Sequence, residues 1–319
     1  MKHLFWMLAA VGICGCADAV SPAAGTIQVT SVAAGRDHSC GLSAEQQLYC
    51  WGSNEAGQFG SGVIAPESYR PVRTLLDPLR ATALAAGDRR TCILVAPGRP
   101  LCAGSDGGRG FEALPGDVTL AQIDADTAVC GLTPEGTAYC WADSAAAPVA
   151  VAPERRFLAV GVGTYGCGLG ADSLAYCWRP GASDAYRVST VRFGRISVGT
   201  AQVCGVAAAD SVGYCVSATG QDADATPAPV TRFGGTIPQL QDIAAGNGRA
   251  CFITLAGDGY CDGLSISGGM KWRQLSAGAA HVCGITTEGT VYCWGSNATG
   301  QLGNGTTTTQ SSFTLERPL

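Results

Sequence analysis

Charged side chains are scarce in this chain, and acidic and basic residues are nearly balanced. Only 14% of the 319 residues are charged, and the formal net charge is -5. Because nucleic-acid binding usually requires a basic face, this balance excludes a typical nucleic-acid partner. No segment after residue 15 contains eighteen consecutive uncharged apolar residues, so no internal membrane span is predicted.

Motifs that carry chemistry are also missing. The sequence has no nucleophile motif and no phosphate-binding loop, and its cysteines do not follow the C-x₂₋₄-C spacing of zinc sites. Only three histidines occur. We therefore predict no catalytic residue, no metal site and no cofactor, and we interpret the protein as a non-enzyme.

Glycine and cysteine, in contrast, are abundant. The 45 glycines favour tight turns between short strands. Of the 16 cysteines, fourteen form seven pairs with nine or ten intervening residues. These pairs are Cys40/Cys50, Cys92/Cys102, Cys130/Cys140, Cys167/Cys177, Cys204/Cys215, Cys251/Cys261 and Cys283/Cys293.

Each cysteine pair belongs to a longer repeat. The first unit spans residues 31–62 and the last spans 275–305, and the first cysteines of successive units lie 32 to 52 residues apart. Repeats of about 40–45 residues with several strands are typical of propeller blades. The sequence therefore predicts seven blades.

The last unit shows how a pair would be joined. An apolar run at 282–285 and a β-branched and aromatic run at 290–294 flank a turn that contains Gly289. Folding this antiparallel hairpin brings Cys283 beside Cys293, within disulfide geometry. Since one geometry must serve seven repeats, we predict seven cross-strand disulfides. We further hypothesise that they compensate for weak packing in units 2, 5 and 6, which have lost much of the repeat signature.

The N-terminus differs from the rest of the chain. Residues 4–13 form an apolar run of signal-peptide length, followed by Cys14, Gly15 and Cys16. This stretch resembles a bacterial lipobox, which implies a lipoprotein signal peptide at 1–15, lipidation at Cys16, a tether at 16–25 and a propeller at 26–319. The alternative is a plain secretory peptide cleaved nearby. Either form of export fits the paired cysteines, because disulfides persist outside the cytoplasm.

The pattern G-x-x-H-x-C-G-L…Y-C-W-G-S-N-x-x-G-Q-L/F-G resembles repeats of the regulator of chromosome condensation family. It is clearest at 35–60 and 278–303. The resemblance implies an all-β, seven-bladed propeller of about four antiparallel strands per blade, with a ring closed by the terminal strands. We predict that residues 311–318 supply a missing outer strand to the Cys40/Cys50 blade. The short steps leave the outer strands of blades 2, 3, 4 and 6 in question.

Several residue types could carry a function, and each also has a structural interpretation. His38 and His281 share one repeat position and are either structural hydrogen-bonding groups, which we favour, or a metal pair across the closure. An aromatic residue follows the second cysteine in four units, either as packing between blades, which we favour, or as a platform for a sugar or protein. These residues are Trp51, Trp141, Trp178 and Trp294.

Acidic pairs and glycosylation motifs are weaker candidates. Asp124 and Asp126, and likewise Asp222 and Asp224, could contribute oxygens to calcium, but a site needs six to eight of them. Asn297 and Asn304 begin N-glycosylation motifs, which are uninformative in a bacterial lipoprotein.

The sequence thus favours an exported, lipid-anchored propeller of the bacterial cell envelope, periplasmic or surface-exposed. It would be a monomer that binds an unknown protein or glycan through the long connections Ser61 to Arg80 and Ser217 to Gln239. Other members of the resembling family include a nucleotide exchange factor and secreted β-lactamase inhibitors. The alternatives are therefore a carbohydrate-binding protein, an enzyme inhibitor such as one of a β-lactamase, or a propeller lyase or hydrolase.

Overall fold

Seven antiparallel sheets make up the described part of the protein, which confirms the seven-bladed β-propeller. The computed structural model describes residues 28–62, 65–74, 78–105, 110–220, 229 and 238–310. The predicted signal peptide, tether and lipidated Cys16 therefore lie outside the described residues. Within the described ranges, no helix has the length and apolarity needed to cross a membrane.

Consecutive strands form each blade, so that every blade is a meander whose strands pair with their neighbours in sequence. Blade 1 contains β1 (Val29–Ala34), β2 (His38–Ser43), β3 (Leu48–Ser53) and β4 (Glu67–Arg73). Blade 2 contains β5 (Ala81–Ala86), β6 (Arg90–Val95), β7 (Arg99–Gly104) and β8 (Glu112–Ala113). Blade 3 contains β9 (Gln122–Ala125), β10 (Val129–Leu132), β11 (Ala138–Trp141) and β12 (Val149–Val151). Blade 4 contains β13 (Phe157–Val162), β14 (Gly166–Gly170), β15 (Ala175–Trp178) and β16 (Tyr186–Arg187).

The last three blades complete the ring. Blade 5 contains β17 (Phe193–Val198), β18 (Gln202–Ala207) and β19 (Gly213–Ser217). Blade 6 contains β20 (Leu240–Ala245), β21 (Ala250–Thr254), β22 (Gly259–Cys261) and β23 (Leu264–Ser265). Blade 7 contains β24 (Trp272–Ala277), β25 (His281–Thr286) and β26 (Val291–Gly295).

Outer strands are present in blades 2, 3, 4 and 6, where the short repeats had left them in question. They are only two or three residues long, which is how these blades fit into fewer residues. Blades 5 and 7 have three strands within the described residues.

The outer strand of blade 1 corrects one prediction. Its place is occupied by β4, which lies within the Ser61 to Arg80 connection, so blade 1 lacks no strand for a C-terminal segment to supply. Residues 311–318 lie outside the described part of the chain. Immediately before them, Gln310 bridges Gly295 of blade 7, at the repeat position where Ser68 pairs with Gly52 in blade 1.

All fourteen paired cysteines form disulfides across the second and third strands of their own blades. The two cysteines of each pair face one another directly in the strand register, for example Cys40 with Cys50. Their Cα atoms lie 4.0–4.1 Å apart, close to the spacing of a non-hydrogen-bonded antiparallel pair. The tight hairpin by itself places the two cysteines opposite one another. The bridges join Cys40 to Cys50, Cys92 to Cys102, Cys130 to Cys140, Cys167 to Cys177, Cys204 to Cys215, Cys251 to Cys261 and Cys283 to Cys293.

The core lies between blades, because each disulfide packs against the next blade. The bridge between Cys130 and Cys140 contacts Trp178 of blade 4, and the Cys283/Cys293 bridge packs with Trp51 of blade 1. This follows from strand alternation, which sends cysteine to one face of a blade and tryptophan to the other. A blade therefore buries its two faces only when both neighbours are present.

Cys140 makes a second contact besides the predicted disulfide with Cys130. In the structure Cys140 is bonded to Cys130, and its Sγ also accepts a hydrogen bond from the Trp178 indole N–H at 3.1 Å. Because the sulfur is fully buried on the face that Trp178 covers, Cys140 is both half of a bridge and a polar contact between blades 3 and 4.

Candidate functional site

A central cavity of about 530 Å³ runs along the axis of the ring and is a candidate site among the described residues. It is lined by the first strand of every blade and by the turn that follows this strand. The sequence places mostly small residues on these strands, since seven strands must converge on one axis. The first strand of each blade and its following turn therefore determine which side chains face the cavity.

Side chains on the innermost strands bind the backbone of the next blade. Gln122 accepts from the Val160 N–H at 3.2 Å and donates to the Val160 carbonyl at 2.8 Å. Gln274 makes the same pair of bonds to Val32, at 3.3 and 3.0 Å. Neighbouring blades are separate sheets with no strand pairing between them, and these amide side chains provide hydrogen bonds across the gap. Polar residues on the first strands therefore have a structural role and need not bind a ligand.

Asp124 is the most unusual residue in the cavity wall. Its Oδ2 accepts from the Val162 N–H at 2.9 Å and its Oδ1 accepts from the Ala125 N–H at 3.0 Å. Burial raises the pKa of this carboxyl to about 7, against the stabilising effect of the two backbone donors. Near neutral pH the group can therefore hold or release a proton.

The repeat supplies a structural explanation for Asp124. At the equivalent positions, Ser197 Oγ accepts from Ala245 N and Ser276 Oγ accepts from Ala34 N, each at 2.9 Å. Asp124 thus makes the interblade bond that serine makes elsewhere. Since serine makes the same bond, this contact does not explain why blade 3 carries an ionisable carboxyl at Asp124.

The turns after the first strands form a narrow ring. Glycine occupies the ring in six blades, and a Cβ added at Gly35, Gly163 or Gly278 would lie 2.1–2.4 Å from a carbonyl oxygen of the next blade. Such distances are far below van der Waals contact, so only glycine fits. Blade 3 carries Asp126 instead.

Asp126 belongs to a charged mouth at this end of the cavity. Burial and the nearby Asp88 raise the pKa of Asp126. Arg36 lies across the mouth and pairs with Asp88 at 3.0 Å and with Asp37 at 3.5 Å. Sequence reasoning missed Arg36 and Asp88. Their position in the repeat could have identified them, because each directly follows the ring glycine of its blade.

Both histidines make structural hydrogen bonds in buried positions. His38 Nε2 lies 2.9 Å from Thr91 Oγ1 of blade 2, and His281 Nε2 lies 2.7 Å from Ser39 Oγ of blade 1. Burial lowers the pKa of His38 to about 4 and that of His281 to about 3. Each neutral imidazole bonds the hydroxyl that precedes the first cysteine of the next blade, as the structural interpretation expected.

The tryptophans are buried between blades rather than displayed. The Trp51 indole N–H donates to the Gln301 carbonyl of blade 7 at 2.9 Å, and that of Trp141 donates to the Pro115 carbonyl at 2.8 Å. Trp178 and Trp294 are at most 5% exposed. These side chains therefore do not form a platform for a sugar ring.

The described residues contain no group of three or more histidine, cysteine or acidic side chains that could hold a metal ion. Asp222 and Asp224 lie outside these residues. Asn297 is fully buried, and its Nδ2 donates to the carbonyls of Thr306 and Thr308. It therefore cannot serve as a glycan acceptor in the folded protein.

The two long connections differ in how much of them is described. Both begin on the rim that carries the ring turns, because the third strand of a blade ends there. Of Ser217 to Gln239, the described parts are residues 217–220, 229 and 238–239. Of Ser61 to Arg80, most residues are described, and strand β4 replaces the predicted loop. Its pairing with β3, from Tyr49–Arg73 to Ser53–Glu67, explains why this segment is ordered as a strand.

Chemically, the cavity offers carboxyls, hydroxyls and backbone groups around a polar axis. Asp88, Asp124 and Asp126 line it together, although Asp88 is neutralised by Arg36 and Asp124 is held by the backbone. The arrangement could bind a small polar or cationic group or transfer a proton. Nothing in it resembles an activated nucleophile among the described residues.

Comparison with family models gives matches at the two ends of the ring. The models of the regulator of chromosome condensation (RCC1) repeat match residues 29–58, 272–301 and 288–316. These are the segments in which the sequence motif was clearest. The matches support the RCC1-type repeat family at these segments, and the fold is a seven-bladed propeller.

Similar solved structures include two plant receptor ectodomains. The CRINKLY WD40 ectodomain of the receptor kinase ACR4 from Arabidopsis thaliana is 22% identical, with a TM-score of 0.63 over 91% of this chain and 99% of that one. The ectodomain of the receptor kinase CR4 from Physcomitrella patens is 23% identical, with a TM-score of 0.60 over 84% and 73% of the two chains.

A third similar structure is yeast RCC1 (Prp20), solved bound to Kap60. It is 16% identical, with a TM-score of 0.52 over 91% of this chain and 75% of that one. At these identities the likeness concerns the fold, and it does not transfer a partner or an activity.

Proposed function

We propose that this protein is an exported, lipid-anchored propeller that binds a protein through the connections on the rim of its ring, without catalysing a reaction. One observation carries the proposal. The residues that could do chemistry are committed to the scaffold, since fourteen cysteines form bridges and both histidines bond neighbouring blades. Strand β4 within Ser61 to Arg80 completes blade 1. The rest of that connection and Ser217 to Gln239 depart most from the repeat sequence, which makes them the candidate contacts.

Export is supported by the disulfides. Seven buried bridges suit an oxidising compartment, because thiols are kept reduced in the cytosol. The similarity to receptor ectodomains agrees with a propeller that works outside the cytoplasm. Lipidation at Cys16 would then anchor the ring to an envelope membrane. Replacing Cys16 by serine should move the protein from the membrane to the soluble fraction, and retention in the membrane would contradict the anchor.

A second candidate is an enzyme, and the cavity carboxyls favour it. Asp124 has a pKa near neutrality and shares the cavity with Asp126, as acid–base pairs in active sites often do. We favour binding because serine makes the Asp124 bond in blades 5 and 7. An aromatic sugar platform has less support, since the tryptophans at this repeat position are buried. Inhibition of another enzyme would be one form of protein binding.

The partner can be captured by photo-cross-linking of the full chain in its exporting host. A photoreactive residue at Thr219, exposed at the start of the Ser217 to Gln239 connection, should form a defined protein adduct. The control places it at Leu158, which is 61% exposed near the opposite rim. Adducts at Leu158 but not Thr219, or at neither position, would overturn binding through this connection.

A further inference from the structure

Two asparagines share one local sequence but have different surroundings. Asn247 and Asn304 each lie between two glycines. Asparagine deamidates most readily before glycine, because glycine has no side chain to hinder attack by its own nitrogen. Gly248 and Gly305 also share a left-handed backbone, with φ of +68° and +83°. Any difference in reactivity between the two sites must therefore come from their tertiary contacts.

Asn247 lies in an exposed turn at the mouth of the cavity. The turn joins the first two strands of blade 6, and Asn247 is among the residues that line the cavity. Asn247 and Gly248 are both exposed, and no atom lies within 4 Å of a Cβ added at Gly248. Among the described residues, neither the Asn247 side chain nor the Gly248 N–H has a hydrogen-bond partner. The side-chain amide and the nitrogen that follows it are therefore free to approach one another.

Asn304 is held by hydrogen bonds on both sides of the same dipeptide. The Gly305 N–H donates to the Tyr69 carbonyl of blade 1 at 2.7 Å. Asn304 Oδ1 accepts from the Thr306 N–H at 3.1 Å and from the Thr306 hydroxyl at 2.8 Å. Asn304 and Gly305 are half-buried. The nitrogen that would attack is therefore engaged, and the amide that it would attack is fixed in place.

We propose that Asn247 is a site of spontaneous deamidation and that the folded ring protects Asn304 from the same reaction. The Gly248 nitrogen loses its proton to hydroxide and bonds to Cγ of Asn247. Nδ2 takes a proton from water, the Cγ–Nδ2 bond breaks, and ammonia leaves. Water then opens the resulting succinimide. Attack at Cγ gives aspartate, and attack at the main-chain carbonyl carbon gives isoaspartate, in which the chain continues through Cβ and Cγ.

The hydrogen bond at Gly305 slows this reaction, because the N–H must leave the Tyr69 carbonyl before its nitrogen can attack. Set against the barrier of the reaction, the net strength of one such bond corresponds to about a tenfold change in rate. The bonds from Thr306 add to this effect, since Cγ of Asn304 must move toward the nitrogen. We therefore expect Asn247 to react at least about ten times faster than Asn304 in the folded protein.

The reaction would change the charge at the mouth of the cavity. Either product carries a carboxylate at position 247, on a cavity that Asp88 and Asp126 also line. The formal net charge of the chain would change from -5 by one further negative charge. Isoaspartate would also lengthen by a methylene group the turn that the Gly246 N–H closes with the Arg249 carbonyl at 3.0 Å. Both products therefore strengthen the negative potential at this mouth.

The test is incubation of the purified full chain at pH 8, with peptide mapping by mass spectrometry at successive times. The peptide that contains Asn247 should gain the mass of an amide converted to a carboxyl, and an isoaspartate methyltransferase should label it. The peptide that contains Asn304 should change at least about tenfold more slowly. Asn247→Gln should remove the fast product and leave the slow one unchanged, because glutamine does not readily form the larger ring. Circular dichroism at each time point checks that the chain remains folded.

The unfolded chain provides the matched control, since both sites keep their Gly-Asn-Gly sequence there. After reduction of the disulfides and transfer to urea, Asn304 should react at nearly the rate of Asn247. Equal rates at the two sites in the folded protein, or a faster reaction at Asn304, would overturn the inference. So would a rate at Asn247 that is about tenfold lower in the folded protein than in urea, because the fold would then restrain this turn as well.

Discussion

At the scale of single residues, ionisable groups are used against their ordinary chemistry. His38 and His281 are neutral hydrogen-bonding groups, and Asp124 occupies the place of a serine. In each case burial favours the uncharged form, which suits a contact between blades. Their titration provides a direct test of this structural role.

The histidines should destabilise the fold in acid. Their pKa falls from 6.5 to about 4 and about 3 on folding, so the unfolded chain binds protons that the folded chain refuses. The stability they contribute is complete above pH 6.5 and is lost as the pH falls toward about 4 for His38 and about 3 for His281. At pH 4.5 the loss should be roughly 2–3 kcal/mol per histidine.

The measurement is urea unfolding of His38→Gln and of the wild type at pH 7 and pH 4.5. Glutamine keeps a group that can bond the Thr91 hydroxyl but does not titrate. The wild type should therefore lose more free energy of unfolding than the variant between pH 7 and pH 4.5. An identical pH dependence in both would contradict a buried neutral imidazole.

Asp124 should act in the opposite direction. Its pKa rises from 3.8 to about 7 on folding, so its effect favours folding below pH 4 and is lost as the pH rises toward 7. Asp124→Ser should raise stability at pH 8 by about 1–2 kcal/mol, a value reduced because the carboxyl borders the cavity. The gain should vanish near pH 4.

Ser197→Asp is the matched control, since it places a carboxyl at the equivalent position of blade 5. It should reproduce the loss of stability at pH 8. If Asp124→Ser instead destabilises the protein at every pH, the carboxylate makes a contact that serine cannot replace. That result would favour the enzyme candidate.

At the scale of elements, the unit of the fold is a hairpin with a disulfide on one face. The bridge closes a loop of ten or eleven residues and forms part of the contact with the next blade. The chain-entropy account gives about 2.5–3 kcal/mol for such a loop. The bridges should therefore matter most where a blade has little else to hold it.

Blade 5 provides this comparison with blade 4. Blade 5 has three described strands and Val216 at the tryptophan position, whereas blade 4 has four strands and Trp178. Replacing Cys204 and Cys215 by alanine should lower the melting temperature more than the same change at Cys167 and Cys177. Equal losses would refute compensation, as would an unchanged melting temperature after reduction of all bridges without denaturant.

At the scale of the whole molecule, the ring closes between blades 7 and 1. The Gln274 bonds to Val32 repeat those of Gln122 to Val160, and His281 joins Ser39 as His38 joins Thr91. The interface between blades 7 and 1 therefore uses the same types of contact as the interfaces between blades that are consecutive in sequence. A ring of this kind should unfold as one unit.

Gln274→Ala and Gln122→Ala test this expectation as a matched pair. Each removes two hydrogen bonds to the next blade and should cost about 1–2 kcal/mol in urea unfolding. The two losses should agree within about 0.5 kcal/mol if closure is no weaker than the other interfaces. A distinct early transition in Gln274→Ala alone would show that the ring opens at its seam.

Much of this architecture was predictable because local patterns encode it. The C-x₉-C spacing specifies a hairpin, the hairpin specifies its disulfide, and seven repeats specify seven blades. Alternation predicted that Trp51 would pack between blades. The hydrogen bond from Trp178 to Cys140 was missed, since it joins neighbouring repeats. Strand β4 was also missed, because Pro71 and two arginines disguise a strand that only the free edge of β3 organises.

The blade count, the bridges and the roles of the two histidines follow from the sequence alone, because each depends on residues within one repeat or at one repeated position. The remaining features depend on the folded ring. The carboxyls at Asp88, Asp124 and Asp126 meet only because seven first strands converge on an axis. The Gly305 N–H reaches the Tyr69 carbonyl only because the ring brings the last blade beside the first, across more than two hundred residues of chain.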